Sequence, residues 1–208
     1  PFIKINRKKN ITLDFEAVNY NFWTYDWRIS FEKGDKYDSF NSDGYKREFY
    51  KIAGSYFPND NLKINLGYRV RKENEWLIWT EDNKFGLYDS EQDTVSIGLN
   101  WFSGNKHEIR LKSQFVALQA DNPQSLISDS GGYLYDSDDL IKPFTQGVVS
   151  FQVRYKFEIA PLSYLYLVYS KGGANYDEDE DYSKSEIFNQ PWNNPSDEVY
   201  SIKFRLKY

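Results

Sequence analysis

Apolar and polar residues alternate with a period of two over long stretches of this chain, the pattern of strands that keep one face in apolar surroundings and the other in water. Val95, Ile97, Leu99 and Trp101 alternate with Ser96, Gly98 and Asn100. Ile109, Leu111 and Phe115 alternate with Glu108, Arg110, Lys112 and Gln114, and Val149, Phe151, Val153, Tyr155 and Phe157 alternate with Ser150, Gln152, Arg154, Lys156 and Glu158. Leu62, Ile64, Leu66, Tyr68 and Val70 against Lys63, Asn65, Arg69 and Arg71 make a further run, and less regular ones lie at 11–20, 25–33, 46–57 and 162–171. The last run ends the chain: Tyr200, Ile202, Phe204, Leu206 and Tyr208 alternate with Ser201, Lys203, Arg205 and Lys207. Nine antiparallel strands follow from this pattern, with a tenth over residues 1–8, and almost no helix. All seven prolines fall outside the interiors of these runs, as a ladder that uses its N–H groups requires.

The connectors sort by length. Links near Asn21, at Pro58–Asn61, at Ser103–Asn105 and at Ala160–Pro161 are short, whereas those near 35–44, 73–91, 120–145 and 173–196 are long. Short and long alternate along the chain, which places tight turns at one end of the strands and long loops at the other, as in outer-membrane barrels. The expected fold is therefore all-β, an antiparallel up-and-down transmembrane β-barrel occupying residues 1–208 as one domain. An odd antiparallel set cannot close in the ordinary way, so either residues 1–8 supply a tenth strand or the chain is the C-terminal part of a larger barrel. The oily face of the last strand, Tyr200, Ile202, Phe204, Leu206 and Tyr208, is the expected recognition signal for the barrel-assembly machinery.

Composition narrows the classes further. With 40% hydrophobic and 19% aromatic residues over 208 positions, the chain is too rich in large side chains to be disordered. It has no Cys, which removes disulfides, thiol catalysis and Cys-ligated zinc and suits an oxidising periplasm. It also has no Met, so Pro1 is read as the first residue of a processed or truncated piece. The longest nearly apolar stretch, 159–168, is interrupted by Pro161 and Ser163 and is too short to cross a bilayer as a helix. A mean hydropathy of −0.74 fits strands that give every second residue to water. The net charge of −5 argues against nucleic acid as a partner.

Candidate chemistry is sparse. His107 is the only histidine and stands beside a predicted tight turn with no nucleophile motif, so it reads as a solvated or interfacial imidazole. The run Asp177 to Asp181 offers a weak calcium candidate through Asp177, Asp179 and Asp181, but it lacks the glycine and spacing of a calcium loop and reads first as solvated loop surface. The pairs Gly131–Gly132 and Gly172–Gly173 are loop points rather than phosphate loops. Trp76, Trp79, Trp101 and Trp192 read as girdle residues before they read as sugar platforms. No acid–base–nucleophile set stands out, so no enzyme activity and no cofactor are expected.

The stretch Glu75–Tyr88 with its two tryptophans, followed by Leu99–Phe102, by His107–Lys112 with Gln114 and Ala120, and by Pro161–Lys171, resembles the C-terminal barrel region of an uncharacterised bacterial outer-membrane family. Its members carry an N-terminal domain similar to family-nine carbohydrate-binding modules. The resemblance covers about residues 75–208 and implies a Gram-negative outer-membrane location; the sugar-binding-like domain is not part of these residues.

One charge pattern bears on function. Opposite the apolar set lie Arg28, Arg47, Lys51, Lys63, Arg69, Arg71, Arg110, Lys112, Arg154, Lys156, Lys203, Arg205 and Lys207 against Asp14, Glu16, Asp26, Glu32, Glu108 and Glu158, thirteen bases to six acids in an acidic chain. A basic lumen concentrates anions. The expected function is a porin-like outer-membrane barrel, as a channel with that lumen or as a surface platform for the glycan-binding-type domain. Its partners would be lipid and the assembly machinery, with carbohydrate or anionic solutes engaged through the complete protein. Two alternatives stay open: a structural or partner-binding barrel with a blocked lumen in an envelope complex, and a soluble ligand-binding β-barrel with the apolar face turned inward.

Overall fold

The alternating runs pair in register into one antiparallel sheet. A computed structural model describes residues 8–18, 23–34, 46–178 and 181–207. Its strands are β1 (Lys8–Val18), β2 (Trp23–Gly34), β3 (Lys46–Asn59), β4 (Leu62–Glu81), β5 (Lys84–Ser103), β6 (His107–Ser128), the short β7 (Leu134–Asp136), β8 (Phe144–Ala160), β9 (Ser163–Glu178) and β10 (Asp197–Arg205), with one helix, α1 (Lys184–Asn193). Strand order follows chain order, β1-β2-β3-β4-β5-β6-β8-β9-β10, with β7 added to β6 at one end. The nine long strands are those expected from the alternation. Residues 1–7 of the expected tenth strand at 1–8, the link near Asn21, the loop at 35–44, Asp179 and Tyr208 lie outside the described residues, as do the side chains of Arg28, Glu16, Asp26 and Glu32; Lys8 begins β1. Among the described residues the sheet does not close: β1 and β10 are its two edges.

Directly opposed residues in an antiparallel pair share a face, so the registers carry one face across the whole sheet. Phe15 pairs with Trp27, Trp27 with Ile52, Ile52 with Tyr68, Tyr68 with Val95, Val95 with Phe115, and Phe115 with Val149. Nearer the tight turns, Leu99 pairs with Leu111, Leu111 with Val153, Val153 with Tyr169, and Tyr169 with Tyr200. Each of these positions is apolar or aromatic, whereas the intervening face carries the charged and amide residues together with glycines, tyrosines and a few small apolar side chains.

Three expected connectors are corrected. The segments 73–91, 120–145 and 173–196 are not open loops: β4 and β5 run on to a two-residue turn at 82–83, β6 continues to Ser128, and β9 continues to Glu178 before α1 begins at Lys184. A bulge between Glu73 and Trp76, with Glu75 at φ 55°, shifts the phase of β4 by one. Beyond it the ribbon buries residues on both sides: Leu77 packs with Phe85, Leu87, Leu126 and Leu134, and Trp76 and Ile78 pack with Tyr88, Ala120 and Phe144. Pro58 and Pro123 sit inside strands, yet both stand at register breaks where no ladder N–H is needed.

The helix is the other departure from expectation. Ser183 and Glu186 form a reciprocal capping box that starts α1, and Ile187 and Pro191 are buried beneath it. It lies on the apolar face, over β6, β8 and β9. Glycine makes the seat: a Cβ at Gly173 would fall 2.5 Å from the Pro191 carbonyl oxygen, and one at Gly147 would overlap the Ile187 carbonyl oxygen. Pro191 has no N–H to give that Ile187 oxygen, so the carbonyl is free to sit over the strand. Lys184 reaches from the helix to Asp93, at 2.6 Å, and to Glu91, and Tyr68 donates its hydroxyl to Asp93.

Candidate functional site

The opposite face gathers the bases. Registers place Lys51 opposite Arg69, Arg47 opposite Glu73, Lys63 opposite Asn100, Asn100 opposite Arg110, Arg110 opposite Arg154, and Glu108 opposite Lys156. On the final strand Lys203 lies opposite Tyr166 and Arg205 opposite Tyr164, on the same face as Lys156 and Glu158. Lys207 follows β10, its N–H donating to the Ser163 hydroxyl at 3.1 Å. The backbone of Arg28 is opposite Lys51. Among the described side chains this face carries Arg47, Lys51, Lys63, Arg69, Arg71, Arg110, Lys112, Arg154, Lys156, Lys203 and Arg205 against Asp14, Glu73, Glu108 and Glu158, with Glu178 and Asp197 at its loop end. Like charges directly opposed in neighbouring strands cost stability, and Lys51–Arg69 and Arg110–Arg154 are both such pairs.

Two carboxylates offset part of that repulsion. Glu108 is almost wholly buried and is shared by Arg110, by Arg154 at 3.4 Å and by Lys156 at 3.7 Å. Glu73, with only 3% of its side chain exposed, takes Arg47 at 2.9 Å and Arg71 at 2.6 Å. The sequence reading missed Glu73 by ending the strand at Arg71; the continuing alternation of Arg69, Arg71 and Glu73 was the available signal. Lys63 holds its ammonium 4.8 Å over the Phe57 ring, and Lys156 lies 4.4 Å over Tyr164.

The remaining expected positions are placed as follows. Tyr200, Ile202, Phe204 and Leu206 are all exposed, at 75, 67, 62 and 54%. Val149, expected among the exposed apolar residues, is 2% exposed, because its opposite neighbours Phe115 and Gly173 touch α1; Phe151 is shared with Trp192, ring centroids 5.4 Å apart. Trp76 packs inside the β4–β5 ribbon against Phe144, whereas Trp101 stays half-exposed on the apolar face. His107 stacks on Phe157 and sets its Nδ1 2.6 Å from the Tyr155 hydroxyl. Asp177 accepts from Asn175, and among the described residues no three potential metal ligands converge. No family model and no curated protein matches the chain.

Proposed function

We propose that this sheet is part of the wall of an outer-membrane β-barrel, its apolar face toward lipid and its basic face lining a water-filled lumen that favours anions. The observation that carries the reading is the apolar face itself. Among the described side chains it extends from β1 to β10, with polar positions such as Ser113, Lys171 and Glu198 within it, and leaves Leu13, Ile52, Leu66, Trp101, Ile202 and Phe204 from 38 to 67% exposed. A patch of that extent on a soluble monomer invites association, and lipid is the solvent that suits it. On β4 the band runs from Leu62 to Val70; at about 3.4 Å per residue and a tilt near 40° that is about 21 Å, close to the roughly 25 Å band of such barrels. Reversing the faces would put Arg110, Arg154 and Arg205 into hydrocarbon at about 2–4 kcal/mol each near the midplane. The open edges β1 and β10 are where further strands of the complete barrel would pair, in keeping with the resemblance to a C-terminal barrel region that follows a carbohydrate-binding-like domain.

A second reading draws on one observation. Trp76, Ile78, Leu118, Ile141 and Phe144 cluster at the loop end on the side of the basic face, and such a cluster would narrow a lumen there. In that case the protein acts as a structural or surface platform. Planar-bilayer recording of the complete protein separates the two. Anion preference that falls when Arg110, Arg154 and Arg205 are changed to Gln is expected for the channel; cation preference or absence of conductance retires it.

A further inference from the structure

Four neighbouring side chains on β6 and β8 of the basic face have no internal partners, whereas across from them Ser96 donates to the Gly67 carbonyl and Ser55 to Asn65. Ser96 lies opposite Gln114 and Gln114 opposite Ser150; one step toward the turn end, Gly98 lies opposite Lys112 and Lys112 opposite Gln152. Lys112, Gln114, Ser150 and Gln152 are all exposed, and among the described residues none of these four side chains has a hydrogen bond, ion pair or ring contact. Their surroundings differ on both sides. Toward the turns the charges are gathered around Glu108, and toward the loops the face becomes apolar at Leu118 and Phe144. Small residues at 67, 96 and 98 keep the floor low, and a groove of about 560 Å³ opens over Asn65, Ser96, Lys112, Gln114 and Gln152.

The donor and acceptor inventory says what would fit. Lys112 only donates and carries a charge, whereas Gln114, Ser150 and Gln152 both donate and accept. A bare inorganic anion can use donors alone and would leave the amide and hydroxyl oxygens idle in a groove several times its size. A neutral polyol would leave Lys112 without a counter-charge. A ring that carries one carboxylate and several hydroxyls uses both, and about 560 Å³ lies within the range of small-ligand sites.

We propose that this groove binds an acidic saccharide, with the carboxylate of a uronate unit at Lys112 and its hydroxyls at Gln114, Ser150 and Gln152. The proposal rests on the basic face being open to water, as in the lumen described above. It is tested by titration calorimetry on the complete protein in detergent, using the disaccharide of galacturonate, the neutral disaccharide of galactose with the same linkage, and sodium phosphate. The uronate is expected to bind saturably and about ten-fold more tightly than the neutral sugar. Lys112→Gln removes that difference, Lys112→Arg keeps most of it, and Lys106→Gln, in the β5–β6 turn, leaves it unchanged. Absence of saturable uronate binding, equal affinity for the neutral sugar, phosphate binding as tight as the uronate, or indifference to Lys112→Gln each overturns the assignment. Bilayer recording of the same preparation keeps the two readings apart. Anion-selective conductance without saccharide binding removes the groove and leaves the channel, whereas binding without conductance supports the groove and retires the channel.

Discussion

Of the two glycines that seat α1, Gly173 has a neighbour that serves as its control. At Gly173 an added Cβ would lie 2.5 Å from the Pro191 carbonyl oxygen, 3.1 Å from Pro195 Cα and 3.3 Å from the Pro191 carbonyl carbon, all backbone atoms that cannot rotate away. At Gly172 the nearest atom is the Val149 carbonyl oxygen at 3.8 Å, an ordinary contact. Gly173→Ala therefore forces the C-terminal half of α1 to retreat by about 1 Å, a gap that forfeits about a quarter to a half of the dispersion contact across it. Ile187 and Pro191, both fully buried, lie in that contact. Losing part of the roughly 1.5–3 kcal/mol that burial of an Ile supplies, together with local overpacking, weakens docking by about 2 kcal/mol. Hydrogen exchange of the α1 amides then speeds up about thirty-fold, since about 1.4 kcal/mol is a factor of ten. Gly172→Ala should leave exchange unchanged. Exchange within about two-fold of wild type for Gly173→Ala, or equal disruption by both variants, would show that the helix is not held as described.

Glu108→Gln leaves Arg110, Arg154 and Lys156 without their shared carboxylate; because the three bases still reach water, urea unfolding should show a loss of about 1–2 kcal/mol rather than the 3–5 of a fully buried pair. On the channel reading the same variant raises anion preference, so a stability loss with no rise in preference counts against a conducting basic face. Removal of Tyr208 together with Phe204→Ser should abolish insertion into the outer membrane while synthesis continues; normal heat-modifiable protein in the membrane fraction contradicts the assembly signal. In the β6–β7 loop the Asp129 carboxylate accepts from the Tyr133 and Gly131 N–H groups and from the Tyr135 hydroxyl, and the Tyr133 N–H above all holds its pKa below the ordinary carboxylate value. Its folded pKa being depressed, loop order is intact above the unfolded value of about 3.9 and is lost as pH falls through the folded one. Proteolysis of residues 129–135 across that window checks this, and Asp129→Asn should flatten the dependence.

Where one face is apolar and the other polar, the sequence announces the strand. Val95 to Trp101, Ile109 to Phe115 and Val149 to Phe157 alternate, and the registers place their apolar residues on one face, as that alternation implies. Where both faces are packed, that signal is lost. The run Trp76-Leu77-Ile78-Trp79 reads as an apolar block because Leu77 enters one cluster while Trp76 and Ile78 enter the other, and the bulge at Glu73 hides the change of phase. The helix had a legible start in the capping box of Ser183 and Glu186, but Pro191 and the surrounding asparagines read as loop, and ten residues are too few to establish a period. The basic face was legible from alternation alone. The grouping of its charges around Glu108 and Glu73 was not, since which base meets which acid depends on register.

The position of α1 also bears on which way the sheet faces. If the apolar face were the interior of a soluble barrel, α1 would be a core element and the residues beyond it would need cover of their own. Instead the helix covers only the loop end, around Gly147, Val149 and Gly173, and Ile97, Leu167 and Ile202 stay open at 37, 38 and 67%. The face itself changes character at the same level: Asp93 meets Lys184, and the Lys171 ammonium lies 4.6 Å over Trp192, while Glu198 stands opposite Lys171 on the next strand. Charges on an otherwise apolar wall are tolerable where hydrocarbon gives way to headgroups, and a short helix carrying Trp192 and Phe188 against the wall suits that depth. On the membrane reading α1 therefore marks the outer boundary of the lipid zone. Val149 is shielded by the protein's own helix, and the hydrocarbon-facing part of β8 begins near Phe151.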